Sequence, residues 1–250
     1  MSEKRKSVWI TGANSGIGKS ITHQFSKNDI CCIASARRKE ALTKMKEDIL
    51  EIPSNIELFP TDVSNTCKIE LFPLDVSNTS EISKVSKKIL KKFDVDCLIN
   101  NAGITSFTSA EDSSTEEINQ IIQTNLIGAI EVIQSLIPHF KKRGGGVIIN
   151  ILSVAAKKTF QNSSVYSASK AGLLAYSNVL REEVRKYNIK VINILPGATR
   201  TPIWSMEMLN EYANQMMSPE DIAKIIYELY SIDYNLVPEE ITLRPMKGDL

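Results

Sequence analysis

The sequence is poor in residues that bind metals or form disulfides. Its 250 residues include two histidines, His23 and His139, and four cysteines, which are Cys31, Cys32, Cys67 and Cys97. The cysteines show no Cys-x-x-Cys pair and no other spacing typical of a zinc or redox site. Two isolated histidines do not build a His-based triad or a zinc site. We therefore predict no metal, and reduced, mostly buried thiols.

An excess of charge and a long hydrophobic run are also missing. The chain has 30 lysines and arginines against 29 aspartates and glutamates, which leaves a net charge of +1. That balance gives no general attraction to nucleic acid or to an anionic membrane. No apolar run approaches the length of a membrane span, and the N-terminal Met-Ser-Glu-Lys-Arg-Lys lacks a signal-peptide core. We expect a cytoplasmic protein without nucleic acid or membrane partners.

What the sequence does contain is an alternation of short apolar runs with helical patterns. The runs predict strands at residues 7–11, 30–35, 97–100, 147–152, 189–195 and 240–244. The patterns predict helices after the first strand to residue 27 and at residues 38–51, 115–140, 165–187 and 222–230. Such alternation is typical of right-handed βαβ units around a parallel sheet. With no linker in between, we predict one α/β domain over residues 1–250.

One segment is duplicated. Residues 56–66 and 69–79 match at ten of eleven positions, with a period of 13. Two copies are too few for a repeat solenoid, so a tandem duplication of one strand and its turn is the simpler interpretation. Only one copy can take the third position of the sheet.

A glycine-rich turn joins the first strand to the first helix. It reads Gly12-Ala-Asn-Ser-Gly16-Ile-Gly18. A dinucleotide pyrophosphate binds at a helix N-terminus, where free N–H groups point outward, and glycines let the backbone approach it. The alternative interpretation is an ordinary tight turn.

A possible acid-base pair lies later in the chain. The strand at residues 147–152 leads to Ser153, and the following helix carries Tyr166 and Lys170. Four residues apart, these two side chains share one helix face. An ammonium group beside a phenol favours the phenolate, which predicts a pKa for Tyr166 below its usual value of about 10. Because Tyr-x-x-x-Lys also occurs by chance, the pair alone does not establish catalysis.

Taken together and in order, these motifs resemble the short-chain dehydrogenase/reductase family over about residues 7–202. The matching features are Thr11-Gly-x-x-x-Gly-Ile-Gly18, Asn100-Asn-Ala-Gly103, Asn125, Ser153, Tyr166-x-x-x-Lys170 and Pro196-Gly197. The resemblance implies a Rossmann-type, doubly wound parallel sheet of about seven strands. It also implies hydride transfer between a nicotinamide cofactor and a carbonyl or alcohol substrate.

The resemblance also implies roles for individual residues. Tyr166 would be the general acid/base, and Lys170 would lower its pKa and bind the nicotinamide ribose. Ser153 would donate a hydrogen bond to the substrate carbonyl. Asn125 would anchor a water in the proton relay, although a polar residue that kinks the helix is the alternative. Residues 7–153 would mainly bind cofactor, and residues 153–217 would hold the catalytic and substrate-loop region.

Further residues are implied as cofactor ligands. They are Gly12, Asn14, Ser15, Gly16, Ile17, Gly18, Asn101, Ala102, Gly103, Pro196, Gly197, Thr199 and Thr201, with Asn100 on the adenosine-ribose side. At the end of the second strand, where an NAD enzyme usually has an acid, this chain has Ala36 followed by Arg37 and Arg38. Guanidinium groups suit a 2′-phosphate, so we expect NADP rather than NAD. Ser15 departs from this, because many NADP-preferring members carry a basic residue there.

The duplication bears on the adenine pocket, which in the family is contacted by an Asp-Val pair after the third strand. Asp62 and Asp75-Val76 are both candidates, and we favour Asp75-Val76 with the first copy as a surface excursion. Residues 202–217 fall where substrate loops close in the family. Lys157 and Lys158 are either solvent-facing lysines or a site for a substrate carboxylate. The stretch from Arg244 to Leu250 resembles the subgroup that acts on small 3-hydroxy acids.

These inferences predict an NADP-dependent oxidoreductase that forms a homodimer or homotetramer through its two long helices. The alternative from another class is an NADP(H)-binding regulator of the same fold without significant turnover. A third possibility is a stable but inactive fold whose adenine site the duplication disrupts.

Overall fold

The computed structural model describes residues 6–51, 68–232 and 235–250. Seven parallel strands form one sheet in the order β3-β2-β1-β4-β5-β6-β7. They are β1 (Lys6–Thr11), β2 (Cys31–Ser35), β3 (Ile69–Leu71), β4 (Asp94–Asn100), β5 (Gly146–Ile151), β6 (Ile189–Pro196) and β7 (Glu240–Leu243). The order reverses direction between β1 and β4, which is where a doubly wound sheet opens a crevice for a ligand.

Helices cover both faces of the sheet. They are α1 (Gly16–Ser26), α2 (Lys39–Glu51), α3 (Thr79–Lys92), α4 (Thr115–Ile122), α5 (Ala129–Arg143), α6 (Ser164–Val184), α7 (Met206–Tyr212) and α8 (Pro219–Ser231). The core on one face packs side chains from α1, α2 and α8, and the core on the other face packs those from α3, α5 and α6. A strand covered on both faces is apolar along most of its length, as β2 is from Cys31 to Ala34. The predicted single Rossmann-type α/β domain is confirmed.

The predicted strands all occur, with small shifts at their ends. The largest shift is in β4, which begins at Asp94 instead of residue 97. The apolar pattern misses this start because Asp94 and Asp96 interrupt it. Asp94 accepts a hydrogen bond from Arg143 Nε at 3.1 Å and lies 3.3 Å from His139 Nε2, so its carboxylate is paired at the start of the strand.

The long helix predicted at residues 115–140 is interrupted. Between α4 and α5 the chain winds as a π-helix over Gln123–Gly128. Gly128 packs so tightly on the segment after β3 that a Cβ there would lie 2.2 Å from the Val76 carbonyl oxygen. A π-bulge changes the direction of side chains locally and is frequent at functional sites. Hydrophobic periodicity could not reveal it, because one extra residue in a turn hardly alters the apolar stripe.

The helical stretch Thr115–Arg143 also has the length and the mean hydropathy, 1.3, of a membrane-crossing helix. The sequence analysis expected no run of that kind. In its most apolar part, 39% of the residues are buried inside the protein. Core helices of soluble proteins meet the same criterion, so this is weak evidence for a membrane span.

The second copy of the duplicated segment forms β3. Its residues Ile69–Leu71 pair in parallel with Cys32, Ile33 and Ala34 of β2. The chain then passes through Asp75 and Val76 into α3, whose first turn is capped by Asn78. The first copy, residues 56–66, lies outside the described residues. The second copy therefore occupies the third sheet position, as expected for the Asp75-Val76 hypothesis.

Candidate functional site

A large cleft runs along the carboxyl ends of the strands, with a volume of about 770 Å³. It gathers residues from widely separated parts of the sequence. All but three of the predicted site residues among those the structure describes line it: Gly12, Asn14, Ser15, Gly16, Ile17, Arg37, Arg38, Asp75, Val76, Asn101, Ala102, Gly103, Ser153, Tyr166, Lys170, Pro196, Gly197, Thr199 and Thr201. The three exceptions are Gly18, Asn100 and Asn125. The motifs found in the sequence thus converge on one place.

The glycine-rich turn forms the floor of the cleft at the start of α1. Gly12 has a φ of +64°, and a Cβ there would lie 2.8 Å from Ala102 Cα. At Gly18 a Cβ would lie 2.2 Å from the Gly12 carbonyl oxygen. Gly12 therefore allows the turn to pack closely on the loop after β4, and Gly18 allows α1 to pack closely on the turn. That packing explains why Gly18 lies behind the cleft and not in its wall.

The N-terminus of α1 opens into the cleft without a side-chain cap. Ser15 occupies the N-cap position, but its hydroxyl makes no capping hydrogen bond, and the first turn holds no acidic residue. The first N–H groups of a helix have no partner within the helix. Together with the helix dipole, they form a site suited to a phosphate group. The geometry of the turn therefore fits a dinucleotide pyrophosphate.

The loop after β4 is tied to the glycine-rich turn. Thr11 Oγ1 accepts hydrogen bonds from the backbone N–H groups of Asn101 and Ala102, both at 3.1 Å. Asn101 Nδ2 donates to the carbonyl oxygens of Thr11 and Gly12. The Asn101 side chain thus holds two cleft walls together. Asn100, which the sequence analysis put on the adenosine-ribose side, is instead buried and donates to the Ala129 carbonyl oxygen.

Basic side chains stand at one end of the cleft. Ala36 follows β2 and is buried, whereas Arg37 and Arg38 are exposed along the cleft wall. Across from them, the carboxylate of Asp75 accepts hydrogen bonds from the Ser77 N–H at 2.9 Å and the Ser77 hydroxyl at 2.7 Å. This end therefore combines two exposed guanidinium groups with a carboxylate held in a fixed turn.

The other end of the cleft holds Ser153, Tyr166 and Lys170. Ser153 follows β5, and its hydroxyl accepts a hydrogen bond from the Ala155 N–H at 3.1 Å. The hydroxyl of Tyr166, on the first turn of α6, is hydrogen-bonded to Ser153. Lys170 is one turn further along α6, buried, with Nζ donating to the Ile151 carbonyl oxygen at 2.9 Å. The helix and the strand end thus bring a serine, a tyrosine and a lysine together.

The protonation equilibria of this group differ from the sequence-based expectation. Burial lowers the pKa of Lys170 from 10.5 to about 8. Burial also raises the pKa of Tyr166 above 10, and its hydrogen bond with Ser153 only partly opposes the rise. The prediction that Lys170 lowers the pKa of Tyr166 is therefore wrong for the protein alone. The ammonium is bonded to the backbone, 5.7 Å from the tyrosine ring centre, and desolvation outweighs it.

Asn125 lies in the π-helix behind the cleft wall and is buried. Its Oδ1 accepts from the Ile104 N–H at 2.8 Å, and its Nδ2 donates to Ile104 O at 2.8 Å and to Ser169 Oγ at 3.1 Å. The Ser169 hydroxyl in turn donates to the Tyr166 carbonyl oxygen at 2.7 Å. A Cβ on Gly103 would lie 3.4 Å from both Asn125 Oδ1 and Lys170 Nζ. Asn125 thus links the loop after β4 to α6.

The remaining wall contains residues that the sequence analysis did not single out. Phe107, from the loop after β4, stacks on Trp204 with ring centres 5.2 Å apart and planes 17° apart. The base of the Trp204 loop is fixed by hydrogen bonds between Met217 and residues 198 and 200. Asp249 also lines the wall. Position at the carboxyl end of β4 could have indicated Phe107. The resemblance of the stretch from Arg244 to Leu250 gave no role to Asp249 itself.

The two lysines after Ser153 are both paired with carboxylates near β7. Lys157 contacts Glu240, and Lys158 Nζ lies 2.5 Å from Asp249 Oδ2. Of the two interpretations left open, a substrate carboxylate site is therefore less favoured, because each ammonium already has an internal partner. Within the loop, Phe160 and Gln161 line the cleft instead.

Comparison with known proteins agrees with this geometry. The model of the short chain dehydrogenase family matches residues 6–211. The sequence is 32% identical over 249 residues to sepiapterin reductase of Chlorobaculum tepidum, covering 96% of both chains. A short chain dehydrogenase structure from Bacillus anthracis has 31% identity and a TM-score of 0.79, covering 95% of this chain and 94% of that one. The closed form of serine dehydrogenase complexed with NADP+ has 25% identity and a TM-score of 0.84, covering 97% and 96%.

The chain therefore belongs to the short-chain dehydrogenase family of oxidoreductases. The resemblance based on the sequence motifs is confirmed.

Proposed function

We propose that the protein is an NADP-dependent oxidoreductase that interconverts a carbonyl compound and an alcohol. The observation that carries this proposal is the grouping of Ser153, Tyr166 and Lys170 at one end of a cleft whose other end suits a dinucleotide. A bound nicotinamide would supply or accept the hydride. The described side chains account for the rest of the chemistry.

Tyr166 is proposed to exchange a proton with the substrate oxygen. When a carbonyl is reduced, Tyr166 donates a proton to the substrate oxygen. A pKa above 10 keeps the phenol protonated at neutral pH, so the proton is available. Ser153 shares a hydrogen bond with Tyr166 and would donate to the same oxygen as negative charge develops there. Lys170, with a pKa of about 8, is mostly cationic at neutral pH and stabilises the phenolate left behind.

Asn125 is proposed to act through the backbone around it. Its amide bonds both the N–H and the carbonyl of Ile104, which fixes the cleft loop beside Lys170. Its position in a π-helix supports a functional role over the alternative of a polar residue that only kinks the helix. The relay water that the family resemblance implies would lie near its side chain.

The cofactor end supports NADP over NAD. Its wall carries Arg37 and Arg38, and Ala36 takes the place of the acid that would bind a ribose 2′-hydroxyl. A guanidinium binds a phosphate through paired, charge-assisted hydrogen bonds. The related serine dehydrogenase structure contains NADP+, which is consistent with this choice. Asp75 and Val76 are proposed to contact the adenine.

The long helices are the proposed subunit interface. Ile118 and Ile127 on the α4–α5 stretch and Val179 on α6 are exposed apolar residues. Burial of such side chains on association favours an oligomer. A homodimer or homotetramer in the cytoplasm is therefore proposed, and the molar mass in solution tests it.

The function is tested by titrating the protein with NADPH and NADH and then assaying a carbonyl and alcohol panel by nicotinamide absorbance. We expect tighter binding of NADPH, and turnover that falls by about 10²–10⁴-fold in Tyr166→Phe while NADPH binding persists. NADPH binding without turnover of any panel member would favour the regulator. Failure to bind either cofactor would favour an inactive fold.

A further inference from the structure

A charged cluster borders the substrate end of the cleft. Lys158 Nζ lies 2.5 Å from Asp249 Oδ2, and Arg244 Nε donates to Asp249 Oδ1 at 3.1 Å, with a second contact from Arg244 Nη2. The Asp249 side chain is only 6% exposed, whereas those of Lys158 and Arg244 are 50% and 47% exposed. Asp249 lines the cleft, and neither cation does. The carboxylate therefore forms the wall, with its counter-charges on the solvent side.

The Asp249 carboxylate lies close to the proposed reaction centre. A Cβ on Gly197, in the turn after β6, would lie 3.5 Å from Asp249 Oδ1. Lys158 belongs to the loop that follows Ser153. Asp249 thus lies between the turn after β6, whose Gly197 is an implied cofactor ligand, and the loop beside Ser153. A substrate held by Ser153 and Tyr166 would lie between these two segments.

The other charged groups of the described cleft wall are elsewhere or already engaged. Arg37, Arg38 and Asp75 stand at the adenosine end. At the substrate end, Lys170 donates to the Ile151 carbonyl oxygen and is reserved for the chemistry of Tyr166. The outer part of the substrate wall is apolar, with the stacked Phe107 and Trp204. Among the described residues that line this end, the charged side chains are those of Lys170 and Asp249.

We infer that Asp249 selects substrates by charge, so that uncharged carbonyl compounds and alcohols are accepted and carboxylate-bearing ones are disfavoured. This inference rests on the proposed function. It runs against the small 3-hydroxy acids that the resemblance of the stretch from Arg244 to Leu250 implies as substrates. Asp249 acts in two ways: it repels a second carboxylate in the cleft, and it occupies the two cations that would otherwise bind one. It is a specificity-determining residue and does not take part in proton or hydride transfer.

The net positive charge of Asp249, Lys158 and Arg244 does not reverse the selection against carboxylate-bearing substrates. Asp249, Lys158 and Arg244 together carry one positive charge, but the two cations are half exposed and therefore screened by water and salt. The carboxylate is nearer to the substrate and lies in a less polar environment. Coulomb interactions grow as distance and dielectric constant fall, so the nearer, less screened charge dominates.

The test compares ethyl acetoacetate with acetoacetate, which share the reacting carbonyl and differ in charge. The quantity measured is the ratio of kcat/KM for the ester to that for the acid, from NADPH oxidation. We expect a ratio of at least tenfold in the unmodified protein. Asp249→Asn should lower the ratio about tenfold, because Lys158 and Arg244 become available to the acid. Lys158→Gln should raise it, because Asp249 is then less well neutralised.

Glu240→Gln is the matched control, because Glu240 pairs with Lys157 outside the cleft wall. Its ratio should equal that of the unmodified protein. Equal use of ester and acid by the unmodified protein, or a ratio that neither Asp249→Asn nor Lys158→Gln changes, would overturn the inference while leaving the proposed function in place. Turnover of neither compound, nor of any other carbonyl, would instead overturn the proposed function itself.

Discussion

Replacing Lys170 with methionine should make the protein more stable and inactive at the same time. Lys170 is buried, and its ammonium donates a hydrogen bond to the Ile151 carbonyl oxygen. Methionine has nearly the same length and no charge, so it fits the site without desolvating an ion. The stability of the protein at neutral pH therefore includes a penalty that Lys170→Met removes.

The size of the stability gain in Lys170→Met follows from the lowered pKa of Lys170. A fall from 10.5 to about 8 corresponds to a penalty of about 3 kcal/mol when the lysine is charged in both states. Loss of the hydrogen bond to Ile151 offsets about 1 kcal/mol. The net gain of about 2 kcal/mol should raise the Tm by roughly 4–8 °C for a domain of this size.

The pH dependence gives the sharper test. Because the folded pKa is the lower one, the unfolded chain binds more protons between pH 8 and 10.5, so stability rises with pH across that window. Below pH 8 the penalty is complete. At pH 9.5 it falls to about 1.4 kcal/mol, which nearly cancels the advantage of Lys170→Met.

The assay is thermal unfolding of the unmodified protein and of Lys170→Met at pH 7 and pH 9.5, with Lys84→Met as an exposed control that should change stability by less than about 0.5 kcal/mol. Equal or lower stability of Lys170→Met at pH 7 would show that the ammonium is not desolvated. A gain of the same size at both pH values would show that the gain comes from packing and not from charge.

Three further predictions follow from the same geometry. Ser153→Ala should lower kcat/KM for carbonyl reduction by about 10²-fold or more with NADPH affinity retained, since one stabilising donor is lost. Arg37→Ala should weaken NADPH binding by about tenfold and leave NADH binding unchanged in a fluorescence titration, because only NADPH carries the 2′-phosphate. Leu74→Thr should destabilise the protein by about 2–4 kcal/mol in denaturant unfolding, because Leu74 is only 2% exposed and the smaller side chain leaves a cavity.

Much of the fold was readable from the sequence because the strands are covered on both faces. A strand such as β2 is apolar at nearly every residue instead of alternating, which distinguishes it from a strand with one face in water. Glycines at turns where a side chain would not fit, such as Gly12, indicated where the cleft lies. The π-helix around Asn125 was missed, since its cause is the contact of Gly128 with a distant segment.

Residues of the candidate site that belong to a short sequence motif could be predicted from the sequence. Properties that depend on the surroundings of a residue in the fold could not. Tyr166 and Lys170 were identified from their spacing, but the pKa of Tyr166 was predicted in the wrong direction. The spacing reveals that two groups are neighbours and cannot reveal how much water is removed from around them. Asp249 was missed for a related reason: its partners, Arg244 and Lys158, meet it only through the folded chain.

The duplicated segment shows how a single residue can decide which copy joins the sheet. The two copies differ only at Thr61 and Leu74 within the eleven matched positions. Leu74 packs in the core with Trp9 and Ile33, and its N–H donates to the Ala36 carbonyl oxygen. Threonine in that core would bury a hydroxyl and leave a cavity, so the copy with leucine is the one that fits. The same choice carries Asp75 to the cofactor end of the cleft and puts the extra 13 residues before the strand, between α2 and β3. The amino end of β3 lies at the edge of the parallel sheet opposite the cleft, so residues added before this strand leave the order of the described cleft segments unchanged.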